Sequence, residues 1–513
     1  MYEAKERNQI GIEGFFLPFG GQLQKDNRWI RLSGRMPWEQ IEEIYLKSLD
    51  PEHGRRAYSA RLAFGACFIK ESENLTDERT VEAIQENPYM QYFLGLEAFH
   101  AEPLFDASMM VHFRRRFPVE EVAKINEYLC TGKWPEGARN VDRNDNNKEQ
   151  ETKEESEGTG SEASGATNGE GTVKQKDNKK KKAPKKQSKK KRKNRGKLIM
   201  DATVAPADIK YPTDLDLLNK CREHLEDAID RLWPMVPHTS HKYPYSKKKA
   251  RKSYLKLTKC KKWTRAKCRK AIADQLYYVD AALKRLEKWK AKIQGFEHHF
   301  PYWLKQRLEV IPKVYAQQKE MYDNNTCVCE NRICSLEQPH VRPIKRGKRP
   351  NPTEFGQKLH LSVVGGYTYI EQTSWNNFNE SLDLEATVND YYRKFGYYPE
   401  AVLADRIYQT RANRNFCKKH NIRLSGPPLG RRKADTTEAK LQRQMYRDAC
   451  ERNVVESRNG IAKRRFGLDR IFSKLDENAK TEAALNILAM NAARWLAQWL
   501  ALFYYFFLKN AVA

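Results

Sequence analysis

Apolar residues recur at three- and four-residue spacing through PWEQIEEIYLKSL and again through SARLAFGACFIK, the period of amphipathic helices. Pro37 suits a first helical turn. LTDERTVEAIQENPYMQYFLGL carries two short helical patterns broken at Asn87 and Pro88, and SMMVHFRRRF ends on Arg114, Arg115 and Arg116. Residues 1–139 therefore read as an all-α region. Its last pattern reads either as a basic helix laid on DNA or as a bundle with a solvated basic face.

A second helical block follows farther along. Ile272, Leu276, Val279, Leu283, Leu286 and Ile293 keep helical spacing, with DLDLLNKCREHLEDAIDRLW and YWLKQRLEVIPKVYAQQKEM as the packing partners expected on either side. The period then changes to two. KLHLSVVGGYTYIEQTSW alternates about Gly365 and Gly366 as a hairpin, while KLIMDATVAP, EAVLAD and NIRLSGPP read as further strands. Strands interspersed with helices indicate an α/β domain over residues 198–470, with 212–325 as a helical basic insertion. The most apolar stretch, LNILAMNAARWLAQWLALFYYFFL, is interrupted by Asn486, Asn491, Arg494 and Gln498, and its uninterrupted part, Trp499 to Leu508, is too short to span a bilayer. Residues 471–513 are expected to form a terminal helix packed on the α/β domain rather than a membrane anchor.

Charge changes this picture in two places. Residues 140–197 are first acidic and then Lys-rich (KQKDNKKKKAPKKQSKKKRKNRGK), a composition that buries no core and predicts a disordered linker. The 513-residue chain carries 94 Lys and Arg against 66 Asp and Glu, a net charge of +28, so a polyanion is the expected partner. Basic character is not confined to the linker. Between Lys242 and Lys292 Lys and Arg far outnumber acids, and Tyr254 and Trp263 are interleaved with them, which suits phosphate contact with occasional stacking and equally suits a solvated helical face. The ten cysteines and the lack of a secretory signal pattern suggest reduced thiols in the cytoplasm. Cys327, Cys329, Cys334 and His340 have poor spacing for zinc.

Three acids stand where the local pattern calls for something else. Asp201 interrupts an apolar strand, Asp405 follows the carboxyl end of another, and Glu456 lies on a helix with Arg452 four residues before it and Lys463 seven after. Val454 and Ile461 are expected to be the buried side of that helix, with Gly460 allowing close approach of a ligand or backbone. Taken singly, either Asp also reads as a turn former or helix cap, and Arg452 with Glu456 as a surface ion pair.

Together these residues resemble the bacterial insertion-sequence transposases with a DDE triad, of the family five-like group within the family four/five superfamily. The resemblance rests on the Asp of the first strand, the Asp of ADRIYQTRANR, the helix R-x3-E-x6-K at Arg452, Glu456 and Lys463, and the segments HVRPIKRGK, EFGQKLHLS and SGPPLGR. The stretch from Arg31 to Phe117 resembles the group's helical DNA-binding region. One departure is Ala449, where the family often has Tyr, the nearest being Tyr446.

The resemblance implies a ribonuclease H-like catalytic domain with Asp201, Asp405 and Glu456 as catalytic residues and ligands of Mg²⁺, or of Mn²⁺. It implies DNA contacts from Arg452, Lys463, Arg406 and Trp375, with core packing as the other role open to Trp375, and from Arg114, Arg115 and Arg116 in the N-terminal region. Double-stranded DNA is the implied partner, as element terminal inverted repeats and as target, bound by a homodimer or higher oligomer at the bacterial nucleoid. The implied reaction is metal-dependent cleavage at element ends and strand transfer by 3′-hydroxyl attack. A structure-specific nuclease and a non-catalytic, transposase-derived regulator remain the alternatives.

Overall fold

The computed structural model describes residues 14–17, 21–50, 52–53, 56–135, 193–236, 247–346, 353–427 and 437–511. The expected linker lies outside the described residues as far as residue 192.

The N-terminal region is helical: α1 (Arg28–Arg35), α2 (Trp38–Lys47), α3 (Ala60–Glu73), α4 (Asp77–Glu86), α5 (Pro88–Phe93), α6 (Met109–Arg115) and α7 (Val119–Thr131). Local chemistry sets several boundaries. Asn27, Ser59 and Thr76 accept a backbone N–H at the starts of α1, α3 and α4, and Asn87 accepts from Tyr89 and Met90 to restart the chain as α5.

A mixed sheet follows, built from β1 (Lys197–Pro206), β2 (Arg342–Lys345), β3 (Thr353–Val364), β4 (Tyr367–Ser374), β5 (Ala401–Leu403) and β6 (Arg423–Leu424). β1 is central. It pairs antiparallel with β3, placing Asp201 opposite Leu361, and parallel with β5, which in turn pairs parallel with β6. β3 carries both β2 and β4 antiparallel on its other edge. Gly365 and Gly366, with φ of 59° and 82°, make the tight hairpin turn between β3 and β4.

Helices cover both faces. Leu198 and Met200 point to α12 (Leu384–Phe395) and α13 (Arg411–Lys419), packing with Leu384, Val388, Tyr391 and Cys417. Ile199 points the other way, to Val455 of α14 (Thr437–Phe466). Between β1 and β2 the chain leaves the sheet as α8 (Asp214–Leu232), α9 (Lys247–Thr258), α10 (Arg265–Lys290) and α11 (Tyr302–Asp323). This insertion has its own core, where Leu276, Val279 and Leu286 meet Leu218, Leu225 and Ile229 of α8 and Leu304, Ile311 and Val314 of α11.

The largest core is shared. Residues of α1 to α7 pack in one apolar cluster with Leu359, Leu361 and Ile370 of the sheet, Phe466 of α14 and the buried side of α15 (Asp476–Ala511). Polar groups fasten the same junction. Asn491 donates to Asn126 Oδ1 (2.8 Å) and to the Thr368 carbonyl (2.7 Å), and accepts the Thr368 N–H (3.0 Å), all buried. Arg393 grips Glu127 through two bonds of 2.9 and 2.6 Å. No helix among the described residues is long and apolar enough to cross a membrane.

Candidate active site

β1 is buried along most of its length, which is why its residues are apolar and why Asp201 stands out. Strand alternation puts the Asp201 side chain on the same face as Ile199, toward α14, where Asn459 Nδ2 donates to its Oδ2 at 3.4 Å. Burial pushes the Asp201 carboxyl above its ordinary value of 3.8; the Ala202 N–H and the Arg452 charge oppose this, Glu380 adds to it, and Arg346 opposes it.

Asp405 stands two residues beyond β5, the strand beside β1, at the same end of the sheet as functional groups commonly gather in α/β folds. Its Oδ1 accepts the Arg406 N–H at 2.7 Å and caps the 3₁₀ turn Arg406–Tyr408, leaving the carboxylate exposed. Cap and cleft wall are therefore compatible roles for one side chain.

Glu456 comes from α14. The buried side of this helix is Val455, Ala462 and Phe466, seven and then four residues apart. That corrects the phase read from sequence: Val454 is 39% exposed, and Ile461 is only partly buried against the large core. The shift leaves Arg452, Glu456, Asn459, Gly460 and Lys463 along the cleft. Arg452 donates to Glu456 at 3.0 Å in a solvent-exposed i,i+4 pair, an arrangement of small energetic worth, so Glu456 can turn to another cation at little cost. A Cβ at Gly460 would meet Arg464 Nη2 at 3.4 Å and nothing closer, so the fold itself does not require glycine there.

All three acids line one open cleft of about 590 Å³. Its wall also holds Glu380, Lys358, Asn377, Lys345 and Arg346. Sequence reading missed Glu380 and Lys358. Lys358 is buried on β3 and donates to Glu380 Oε1 (3.4 Å), Asn377 Oδ1 (3.2 Å) and the Phe378 carbonyl (2.8 Å), while Tyr408 donates to Glu380 Oε2 at 3.5 Å. A lysine inside a run of strand residues was the available signal. Asn459, three residues after Glu456, was legible from helical spacing alone.

Other expected DNA contacts are placed differently. Arg114 is buried and bonded to both oxygens of Asp77 at 2.7 Å, which removes it from phosphate contact and makes it a strut between α6 and α4. Arg116 is half-buried and donates to the Ser48 carbonyl, whereas Arg115 is exposed. Arg406 is exposed beside Asp405 but is not on the cleft wall. Trp375 is also off that wall: its ring packs on His340 at 4.4 Å and its indole N–H donates to Asp476 at 2.7 Å, at the junction with α15.

The carboxylates share the cleft without closing around a point; among the described residues no group of three or more His, Cys, Asp or Glu side chains is set to hold a metal ion. The donor chemistry nevertheless fits a hard cation. Asp201, Glu380, Asp405 and Glu456 offer carboxylate oxygens in a polar cleft, and the buried Asn459 Oδ1 there has no hydrogen-bond donor.

Comparison with known proteins adds three findings. Residues 402–492, which include Asp405 and Glu456 but not Asp201, match the family model "Transposase DDE domain". Residues 18–116 match the model "Transposase domain (DUF772)". An "Uncharacterized protein ORF8 in nfe locus" of Rhizobium meliloti is 40% identical over 108 residues, 20% of this chain; the chain spans about half (52%) of that relative. No solved structure matches the chain.

Proposed function

Since the chain belongs to the insertion-sequence DDE transposases, we propose that it cuts DNA at element ends and joins the freed ends to target DNA, using the cleft between β1, β5 and α14. The observation that carries this reading is the meeting of Asp201, Asp405 and Glu456, from three separated segments, on one wall with Arg452, Asn459 and Lys463. The sheet order β4-β3-β1-β5-β6, with β1 antiparallel to β3 and parallel to β5, supports a ribonuclease H-like catalytic domain over residues 198–470.

Asp201, Asp405 and Glu456 are the residues that would hold Mg²⁺ or Mn²⁺. The ion, when bound, supplies Lewis-acid polarisation of the scissile phosphodiester and of the attacking oxygen. The protein's own part is orientation and charge. Asn459 fixes the Asp201 carboxylate by its hydrogen bond, and Arg452 and Lys463 receive the phosphate oxygens on either side of the cut. Lys358, anchored on Glu380, keeps a cation at the cleft wall without reaching solvent freely. In the first step the water oxygen bonds to phosphorus and the bond to the 3′-oxygen breaks, freeing a 3′-hydroxyl. In the second, that hydroxyl attacks a target phosphodiester and displaces a target 3′-oxygen, so no covalent enzyme intermediate is needed. Residues 1–139 are assigned to DNA binding, with two or more copies of the chain acting on the paired ends.

Asp201→Asn, Asp405→Asn and Glu456→Gln should each abolish metal-dependent cleavage while leaving DNA affinity in EDTA within a few-fold of the parent chain. Full cleavage by any one of them would remove that residue from the site. Pre-cut ends supplied with a target plasmid should yield joined product; hydrolysis with no joining would identify a nuclease instead.

A further inference from the structure

The cleft does not end at its acids. A second depression, of about 200 Å³, shares Lys345 with the cleft wall and runs between Thr213, Asp214 and Arg332. A third, of about 230 Å³, shares Pro212, Thr213, Asp214 and Arg332 with the second and ends on Trp263. Through these shared wall residues the three depressions lie in series from the acid triad to the turn between α9 and α10. The acid shared by the second and third, Asp214, is already neutralised: Arg332 bonds to it at 2.5 Å and Gln318 at 2.8 Å.

The far end of the series is built as a nucleic-acid contact. Residues 247–273 contain no Asp or Glu. Lys259, Lys261, Lys262, Arg265 and Lys267 are all exposed around that turn, and none forms an ion pair with an acid among the described residues. In their midst Trp263 is 50% exposed, an apolar surface that a protein ordinarily covers. The other exposed aromatics of the insertion, Tyr277, Tyr302 and Trp303, line none of these three depressions.

We propose that a DNA strand leaving the acid cleft follows these depressions past Lys345 and Arg332, and that Trp263 stacks on one of its bases while the surrounding lysines hold its phosphates. The inference rests on the transposase reading of the cleft and adds to it a strand path through the helical insertion. The combination of an aromatic platform with flanking cations favours a single strand over a duplex, whose bases are already stacked on each other.

The test is binding by the full-length protein in EDTA, read by fluorescence anisotropy, so that it is independent of cleavage. The probes are a blunt duplex and the same duplex carrying a single-stranded oligothymidine extension at the 3′ or the 5′ end. One of the extensions should tighten binding about ten-fold, a stacking-sized gain, and steepen the salt dependence. Trp263→Ala should lose most of that increment, Trp263→Phe should keep it, and Lys261→Ala/Lys262→Ala should flatten the added salt slope by roughly one to two. An increment that survives Trp263→Ala, or a loss that falls equally on the blunt duplex, overturns the strand path. Failure of cleavage with the increment intact would instead count against the transposase reading alone.

Discussion

Replacing Asn491 by Ala tests whether α15 is the common spine of the molecule. The amide makes three buried bonds, to Asn126 Oδ1, to the Thr368 carbonyl and from the Thr368 N–H. Truncation leaves the Thr368 N–H without an acceptor and takes a donor from Asn126, while the Thr368 carbonyl keeps its bond from Asn126 Nδ2 at 3.1 Å. One fully orphaned buried donor, one weakened acceptor and a small cavity together cost about 3–4 kcal/mol. Asn491→Asp, nearly isosteric, should be at least as damaging at neutral pH, because a carboxylate cannot donate to either oxygen and brings an unpaired charge. As a scale, Thr481→Ala removes one bond, from its hydroxyl to the Phe117 carbonyl, and should cost about 1 kcal/mol. The assay is urea unfolding at equilibrium, followed by tryptophan fluorescence and by far-UV circular dichroism. Coincident transitions displaced together in Asn491→Ala are expected, since the N-terminal helices and the sheet share one core. A loss under about 1 kcal/mol, or an N-terminal transition that separates from the rest in the parent chain, would refute the reasoning.

Other substitutions probe the placements corrected above. Arg114→Met should destabilise the fold by about 3 kcal/mol by stranding Asp77, whereas Arg115→Ala should leave the melting temperature unchanged and lower the slope of DNA affinity against salt by about one. His340, packed on Trp375, is held by burial at about 4, below its ordinary 6.5, with Asp476 acting in the opposite direction. A depressed histidine makes the folded state lose stability as pH falls from 6.5 through 4, by up to about 3 kcal/mol, and His340→Gln should flatten that part of the stability–pH profile. Gly460→Ala should fold as well as or better than the parent, by up to about 1 kcal/mol from helix propensity, and yet cleave DNA poorly if substrate backbone passes over the cleft wall there. Unchanged cleavage would mean that substrate keeps clear of Gly460.

The acids were legible because each broke a local pattern: Asp201 an apolar strand, Asp405 a strand end, Glu456 a helix face with Arg452 and Lys463 in phase. Contacts between distant segments were not. Arg114 reads as one of three surface arginines until Asp77, 37 residues earlier, is seen to fold against it. Glu380 carries no local sign of its place in the cleft, because Lys358 and Tyr408 reach it from other elements. The burial phase of α14 is ambiguous in sequence by one position, because the adjacent Val454 and Val455 satisfy the same spacing and only the neighbouring β5 and β1 select Val455. Asn486 and Asn491 looked like interruptions of an apolar helix. Both are buried, and Asn491 is where α15 is pinned to the hairpin and to α7.

The shared core also changes what the long charged segment joins. α7 ends at Thr131 and β1 begins at Lys197, yet both termini of that interval are seated on one packed body, with Glu127 of α7 clasped by Arg393 of α12. The peptide bonds of the interval are therefore not what keeps the two halves together. A protease site placed between residues 150 and 180 should, once cut, leave both fragments eluting as one particle, and the two halves made as separate polypeptides should find each other and reconstitute the molecule.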